Sequence, residues 1–257
     1  MRPVIIVSGA SSSLGKVLCE YLVEAGYKVY AGYNLHLDKL SKNQYQTSIK
    51  MDVTSSTSCY KAVQLVLKKE KNIFGLINLV AISPSGETLD FGSDDYQKIL
   101  DINTIGPFRL IREVLPHLKI NGRIINIGSL SGIISFPRFS LYSASKFALR
   151  AMSLSMYYEW LSKKRYITHI APGAIAKYPP ALPPPGSARN RVPLLSWLLP
   201  LVTPQAVSKV IVSCLKNPTP PAEILVGVDA VVLSLIRRLS PEFLWDKIQN
   251  FVWQKQK

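Results

Sequence analysis

A tyrosine and a lysine stand four residues apart in the stretch 141–146. In a helix, that spacing would place Tyr142 and Lys146 on one face. Tyrosine in water holds its proton until about pH 10, but a neighbouring cation favours the phenolate and lowers the pKa. The pair is therefore a candidate acid–base device near neutral pH. The same spacing also occurs on ordinary solvated helices, so the rest of the chain must supply a site around it.

Composition bounds the class of protein. The 257 residues are 47% hydrophobic and 18% charged, which predicts one large globular domain over 1–257 and excludes a disordered or fibrous chain. The formal net charge of +15 favours an anionic partner, which could be a phosphorylated cofactor, an acidic lipid surface or nucleic acid. Cys19, Cys59 and Cys214 are few and widely separated, so neither a disulfide framework nor a metal site is predicted.

Targeting and membrane-spanning signals are weak. Residues 1–7 carry one charge and a short apolar run, so we expect a first strand there and no signal peptide. The apolar region 192–202 is broken by prolines and is shorter than the roughly 20 residues that span a bilayer. We therefore expect a cytoplasmic protein without a transmembrane helix. His36, His117 and His169 lack metal-ligand spacing, and no metal is predicted.

Short apolar runs alternate with helical patterns along the chain. Strands are predicted at Val4–Val7, Tyr27–Gly32, Ser48–Val53, Phe74–Val80, Gly122–Ile127, Tyr166–Ala171 and Glu223–Val228. Helical patterns lie between them, including Ser55–Lys71, Tyr142–Ser162 and a stretch over 94–118 that is interrupted near Gly106-Pro107. The alternation predicts an α/β fold, a doubly wound parallel sheet of Rossmann-like type with helices on both faces. Ligands of such folds bind beyond the carboxyl ends of the strands.

The first strand leads into a turn of glycine and serine, 8–15, and then into a helix. This arrangement directs backbone N–H groups and the positive end of a helix at a pyrophosphate. A plain strand-to-helix turn with a serine cap is the alternative.

Several motifs in this order resemble the single-domain branch of the short-chain dehydrogenase/reductase family, over nearly the whole chain. They are Ser8-Gly9-x3-Ser13-Leu14-Gly15, Asp52-Val53, Asn78, Asn103, Ser129, Tyr142-x3-Lys146 and Pro172-Gly173. The resemblance implies an oxidoreductase that interconverts a secondary alcohol and a ketone.

The resemblance also implies roles for four residues. Tyr142 would be the general acid in reduction and the general base in oxidation, and Lys146 would lower the tyrosine pKa and hold the nicotinamide ribose. Ser129 would bind the substrate oxygen, and Asn103 would hold a water that links Lys146 to solvent.

Cofactor contacts follow from the same resemblance. They are Gly9, Ser11, Ser12, Ser13, Leu14, Gly15, Tyr33, Asp52, Val53, Asn78, Ala81, Tyr142, Lys146, Pro172, Gly173 and Ile175. NADP(H) is favoured over NAD(H) because Gly32, Tyr33 and Asn34 offer no carboxylate to repel a 2′-phosphate. Lys16 and Lys39 are candidate phosphate partners.

Three departures from the family pattern bear on cofactor binding. Ser13 replaces the middle glycine, Leu79-Val80-Ala81 follows Asn78 where Asn-Ala-Gly is usual, and Lys177 replaces a threonine. The competing interpretation is therefore a catalytically impaired nucleotide-binding regulatory or scaffold protein of the same fold. The intact set of four catalytic residues favours the enzyme.

Two segments suggest the substrate and partners. The proline-rich stretch 173–203 lies where the family builds its substrate lid, and its leucines, Tyr178 and Trp197 predict a small apolar alcohol or ketone. The alternative is that these residues pack on the domain or on another subunit. Separately, the resemblance to the family implies a homo-oligomer.

The tail over 230–257 is amphipathic and contains arginines, lysines and tryptophans. Such a tail predicts contact with an anionic membrane surface or, alternatively, docking on the domain. The lysines on the helix over 55–71 lack interleaved aromatics, so no nucleic-acid site is predicted.

Overall fold

A seven-stranded, all-parallel sheet forms the centre of the molecule, in a computed structural model that describes residues 2–37, 40, 43–176 and 200–254. The strand order is β3-β2-β1-β4-β5-β6-β7. The strands are β1 Val4–Ser8, β2 Lys28–Tyr33, β3 Gln46–Lys50, β4 Ile73–Asn78, β5 Leu118–Ile127, β6 Tyr166–Pro172 and β7 Glu223–Val226. The direction of winding reverses between β1 and β4, which is where ligands of such sheets bind. The predicted fold class is confirmed.

Helices cover both faces of the sheet. They are α1 Ser13–Glu24, α2 Ser56–Leu67, α3 Ser93–Leu100, α4 Gly106–Val114, α5 Ser140–Leu161, α6 Pro204–Lys216, α7 Val228–Leu239 and α8 Glu242–Gln254. One core lies beneath α1 and α6, and a second lies beneath α2 and α4. All residues of β1 and β6 are buried, because helices cover both faces of the sheet.

Every strand lies near its predicted position, and β3 and β5 differ most from the predicted bounds. β3 runs over Gln46–Lys50 and ends before Met51, whereas the apolar pattern predicted Ser48–Val53. The chain turns there because Asp52 Oδ1 accepts a hydrogen bond from Thr54 N at 2.9 Å. β5 begins at Leu118, earlier than predicted, and reaches this length through a register shift against β4.

The stretch 94–118 is interrupted by a π-helical turn, Asp101–Ile105, between α3 and α4. Gly106 N donates to Asp101 O, five residues back. Pro107 has no N–H, so it cannot donate to the carbonyl of Asn103, four residues before it. The break predicted near Gly106-Pro107 is confirmed, and it lies directly beside Asn103.

The two C-terminal helices pack through one face on the segment that follows β5. Leu233 of α7 and Trp245 of α8 are buried in a cluster with Leu130 and Ile134. In addition, Gln249 Nε2 donates to Ser135 O at 3.0 Å. Docking of the tail on the domain therefore accounts for one face of these helices.

Parts of the sequence prediction lie outside the described residues: Lys39, Lys177, Tyr178, Trp197 and most of the predicted lid. Both ends of that stretch are described and lie together. Ala176 N donates to Val202 O at 2.8 Å, and Val202 N donates to Ala174 O at 2.9 Å. None of the described helices is long and apolar enough to cross a bilayer.

Candidate active site

The turn between β1 and α1 is shaped by glycine and a serine cap. Gly9 has a φ of +71°, in the left-handed region that favours glycine. The Ser12 hydroxyl donates to Gly9 O at 2.8 Å and accepts from Gly15 N at 3.0 Å, so Ser12 is the N-cap of α1. Ser13 is the first residue of the helix and is not among the residues with positive φ, so a serine fits there without strain.

Close packing at this turn leaves N–H groups available to an anion. A Cβ at Gly15 would lie 2.5 Å from Gly9 O, so α1 can rest on the turn only with glycine at this position. The first N–H groups of a helix have no carbonyl four residues earlier. Ser12 caps that of Gly15, which leaves those of Ser13 and Leu14 directed out of the helix end, beside the partly exposed Ser11.

Two of the residues after β4 that differ from the family pattern pack on the two cores of the sheet. Leu79 packs on the core beneath α1, and Val80 packs on the opposite core and against Gly9. Ala81 is exposed at the end of this passage. The Asn78 side chain is buried, and its Nδ2 donates to Asn126 Oδ1 at 2.8 Å, so it joins β4 to β5 inside the sheet.

Packing also explains the absence of an acidic residue at the end of β2. A Cβ at Gly32 would lie 2.9 Å from both Val7 O and Met51 Sδ. A side chain at this position would therefore require the backbone of β1 to shift. Tyr33, the next residue, is half-buried at the strand end.

Asp52 and Val53 follow β3 at the same edge of the sheet. The Asp52 carboxylate accepts from Thr54 Oγ1 at 2.7 Å as well as from Thr54 N, and these hydrogen bonds lower its pKa. The Val53 side chain is buried against Gly106.

Tyr142 and Ser129 meet across the gap between α5 and the end of β5. Tyr142 lies in the first turn of α5. Burial raises the pKa of its phenol, and its hydrogen bond with Ser129 offsets this rise only in part. The direction is opposite to the one that the Tyr-x3-Lys spacing predicted, because the loss of solvent around the phenol disfavours its charged form.

Lys146 lies one helical turn further along α5 and is fully buried. Its Nζ donates to Ile127 O at 2.9 Å and lies 5.8 Å from the centre of the Tyr142 ring. Burial lowers the pKa of this ammonium to about 8. It therefore remains mostly a cation at neutral pH and can lose its proton under mildly alkaline conditions.

The side chain of Asn103 joins the segment after β4 to α5 by hydrogen bonds. Its Nδ2 donates to Ile82 O at 2.8 Å and to Ser145 Oγ at 2.9 Å, and its Oδ1 accepts from Ile82 N at 2.9 Å. Both amide hydrogens are thus occupied, so the predicted hold on a water cannot use them. The role of Asn103 in holding a water stays a prediction.

The turn after β6 is held by a residue that the sequence analysis missed. Asp229, near the start of α7, is buried, and its Oδ2 accepts from Ala174 N at 2.7 Å. A Cβ at Gly173 would lie 1.9 Å from Asp229 Oδ1, so Pro172-Gly173 passes directly over this carboxylate. Ile175 follows and pairs with Val202 in an isolated bridge.

Two residues of the site therefore carry no strong sequence signal. Ser145 is a small residue inside the Tyr-x3-Lys motif, and Asp229 lies far from it in the chain. Their roles become visible only when α5, the π-helical turn and α7 come together. In the described part of the chain, no group of histidine, cysteine, aspartate and glutamate could hold a metal ion.

A family model described as short chain dehydrogenase matches residues 3–178, which is more than half of the chain. The chain belongs to the short-chain dehydrogenase/reductase family. The matched region contains Asn103, Ser129, Tyr142 and Lys146.

Curated members of the family are about 30% identical to this chain over the aligned residues. It is 31% identical over 183 residues to D-beta-hydroxybutyrate dehydrogenase, mitochondrial, of Rattus norvegicus, covering 66% of this chain and 53% of the rat protein. It is 30% identical over 162 residues to 3-ketodihydrosphingosine reductase of Bacteroides thetaiotaomicron, covering 62% and 59% of the two chains. Each match thus spans only a little over half of the relative.

Solved structures of short-chain dehydrogenases share the fold. One from Streptomyces avermitilis superposes with a TM-score of 0.81 at 24% identity, covering 99% of this chain and 97% of the other. One from Burkholderia cenocepacia, solved in complex with NADP, gives 0.79 at 23% identity, covering 96% and 97%.

Proposed function

We propose that this short-chain dehydrogenase/reductase is an NAD(P)(H)-dependent oxidoreductase that interconverts a secondary alcohol and a ketone on an apolar substrate. The observation that carries the proposal is the hydrogen bond between Tyr142 and Ser129 beside the buried Lys146, at the carboxyl edge of the sheet. The related proteins named above are a dehydrogenase of a hydroxylated compound and a reductase of a keto compound.

The residues divide the chemistry of reduction between them. Ser129 donates a hydrogen bond to the carbonyl oxygen, and Tyr142 transfers its proton to that oxygen as the carbon is reduced. The raised pKa of Tyr142 keeps the phenol protonated, as a general acid requires. Lys146 stabilises the resulting phenolate by its charge. Oxidation runs the same proton transfer in reverse, with the phenolate as base.

The residues at the carboxyl edge of the sheet suit a nicotinamide dinucleotide. The close contact of Gly15 with Gly9 and the free N–H groups at the start of α1 suit a pyrophosphate. Pro172, Gly173 and Ile175 would face the nicotinamide, and Tyr33, Asp52, Val53 and Ala81 would surround the adenosine. When bound, the nicotinamide supplies the hydride in reduction and accepts it in oxidation.

NADP(H) is the preferred cofactor in this proposal. The steric bar to a side chain at Gly32 keeps a carboxylate away from the position where it would repel a 2′-phosphate. The net charge of +15 favours the more anionic nucleotide as well.

The decisive experiment titrates the protein with NADPH and NADH and then measures turnover of a panel of carbonyl compounds. Tyr142→Phe should keep nucleotide affinity and lose turnover by at least about a hundredfold, since the proton donor is removed. If neither nucleotide binds, the enzyme proposal is wrong. If nucleotide binds but no compound turns over in the wild type, the regulatory or scaffold alternative is favoured.

A homo-oligomer is proposed through α4 and α5. Phe108 of α4 and Phe147 and Tyr158 of α5 are exposed, which is costly for aromatic side chains in a monomer. Light scattering should show a multimer that Phe108→Glu with Phe147→Glu dissociates. Leu65→Glu, on exposed Leu65 of α2, is the control and should leave the mass unchanged.

The outer face of the C-terminal helices supports contact with an anionic membrane surface. Val228, Val231, Leu235 and Leu239 are exposed at intervals that place them on one face of α7, beside the exposed Arg238. Wild type should sediment at low salt with vesicles rich in phosphatidylglycerol, and Leu235→Glu with Leu239→Glu should not. Leu89→Glu, at an isolated exposed leucine, is the control. If all of the wild-type protein stayed in the supernatant when these vesicles sediment, this proposal would be wrong.

A further inference from the structure

We infer that Lys50, the last residue of β3, binds the 2′-phosphate of NADP and sets the preference for this cofactor. The inference rests on the proposed function and adds a residue that sequence motifs do not identify. It names a partner other than Lys16 and Lys39, which the sequence suggested and which stay predictions.

The sheet register brings Lys50 to the end of β2. Lys50 is the parallel partner of Tyr33, and each is the last residue of its strand. Paired residues of neighbouring strands direct their side chains to the same face of a sheet. Lys50 and Tyr33 therefore share one face at the carboxyl edge, beside the turn where the sequence lacks a carboxylate.

The ammonium of Lys50 extends past the end of β2. Its Nζ donates to Asn34 O at 2.5 Å and lies 5.8 Å from the centre of the Tyr33 ring. A lysine ammonium has three N–H donors, so two remain for phosphate oxygens. The side chain is exposed, and an incoming anion can reach it without rearrangement of the core.

Nearby carboxylates do not neutralise this cation by direct pairing. Within the described ranges, the ion pairs involve other lysines and arginines and none involves Lys50. Asp52, the nearest acid in the chain, is held by hydrogen bonds from Thr54 and Asn34. The charge of Lys50 contributes least to the lowered pKa of Asp52, and the two side chains form no ion pair. Gly32 cannot carry a side chain without displacing Val7 or Met51, so among the described residues at this turn Lys50 offers a cation to an entering 2′-phosphate.

The test measures binding of two fragments that lack nicotinamide, 2′,5′-ADP and 5′-AMP, by calorimetry. Lys50→Met should weaken the affinity for 2′,5′-ADP about tenfold or more, as expected for loss of a charged hydrogen bond. The affinity for 5′-AMP should stay within about twofold of the wild-type value. Lys50→Arg should retain most of the affinity for 2′,5′-ADP. Lys119→Met, at an exposed lysine where β5 begins on the opposite edge of the sheet, should change neither affinity.

The outcomes separate this inference from the proposed function. Suppose that the wild type binds 2′,5′-ADP. If Lys50→Met binds this fragment equally well, or if its affinities for both fragments fall by the same factor, the assignment of Lys50 is wrong and the proposed function stands. If Lys16→Met instead removes the preference for 2′,5′-ADP, the assignment is also overturned. If the wild type binds neither fragment and neither whole nucleotide, both proposals fall.

Discussion

Asn103 donates from Nδ2 to Ser145 Oγ at 2.9 Å, and the same hydroxyl donates to the Tyr142 carbonyl at 2.8 Å. Thr104 Oγ1 also donates to Ser145 O at 2.9 Å. The π-helical turn is thus bonded to Ser145 of α5, which in turn is bonded to the Tyr142 carbonyl in the first turn of that helix. Ser145 is a positioning residue for Tyr142 in this arrangement.

Ser145→Ala should lower the free energy of unfolding by about 1–3 kcal/mol because it leaves one buried amide hydrogen of Asn103 without an acceptor. Urea unfolding measures this. The matched control is Ser143→Ala, in the same helix. The Ser143 hydroxyl is buried and has no hydrogen-bond partner in the part of the chain that the structure describes, so its loss should be neutral or slightly stabilising. Equal effects of the two substitutions would contradict the role of Ser145.

Carbonyl reduction should slow as the pH rises past about 8, the pKa to which burial lowers Lys146. Above this pH the ammonium loses the charge that stabilises the phenolate of Tyr142. The pH profile of kcat/KM measures this. Lys146→Arg stays charged, so any activity it retains should lose the alkaline limb near pH 8. If kcat/KM of Lys146→Arg still fell near pH 8 as in the wild type, a group other than Lys146 would cause that fall.

Burial of Lys146 also predicts how stability depends on pH. Its folded pKa of about 8 lies below its ordinary value of 10.5, so the unfolded chain binds the proton more tightly. Stability should therefore rise between about pH 8 and 10.5, by roughly 3 kcal/mol from this residue. Urea unfolding of the wild type and Lys146→Met across that range should show the rise only in the wild type.

His169 predicts a loss of stability in acid. It is fully buried in β6, neither ring nitrogen has a hydrogen-bond partner among the described residues, and burial lowers its pKa from 6.5 to about 4. Below pH 6.5 the unfolded chain takes up a proton before the folded protein does. About 3 kcal/mol of stability should be lost by pH 4. His169→Gln should flatten this dependence between pH 6.5 and 5, whereas His117→Gln, at an exposed histidine, should not.

Gly32→Asp tests whether packing excludes an acid at the end of β2. We expect a loss of about 1–3 kcal/mol in the free energy of unfolding, since the new Cβ would lie 2.9 Å from Val7 O. We expect little gain in NADH affinity, because the carboxylate cannot take its usual place without moving β1. A stable variant that prefers NADH would refute this explanation.

Local patterns in the sequence determined the sheet class, the approximate position of each strand and the glycine-rich turn. Tyr142 and Lys146 could be paired from spacing alone, because both lie on one helix and helical geometry is set locally. The interruption near Pro107 could be predicted for the same reason, since the missing N–H is a property of the residue itself.

Contacts between distant elements were decided only by the tertiary structure. The direction of the Tyr142 pKa depends on how deeply α5 buries the phenol, which spacing does not specify. Asp229 reaches the turn after β6, and Lys50 reaches Tyr33, only because α7 and β3 pack where they do. Burial and strand register depend on how whole helices and strands pack together. The residue order alone could therefore place Tyr142, but it could not show the burial of its phenol or the contacts of Asp229 and Lys50.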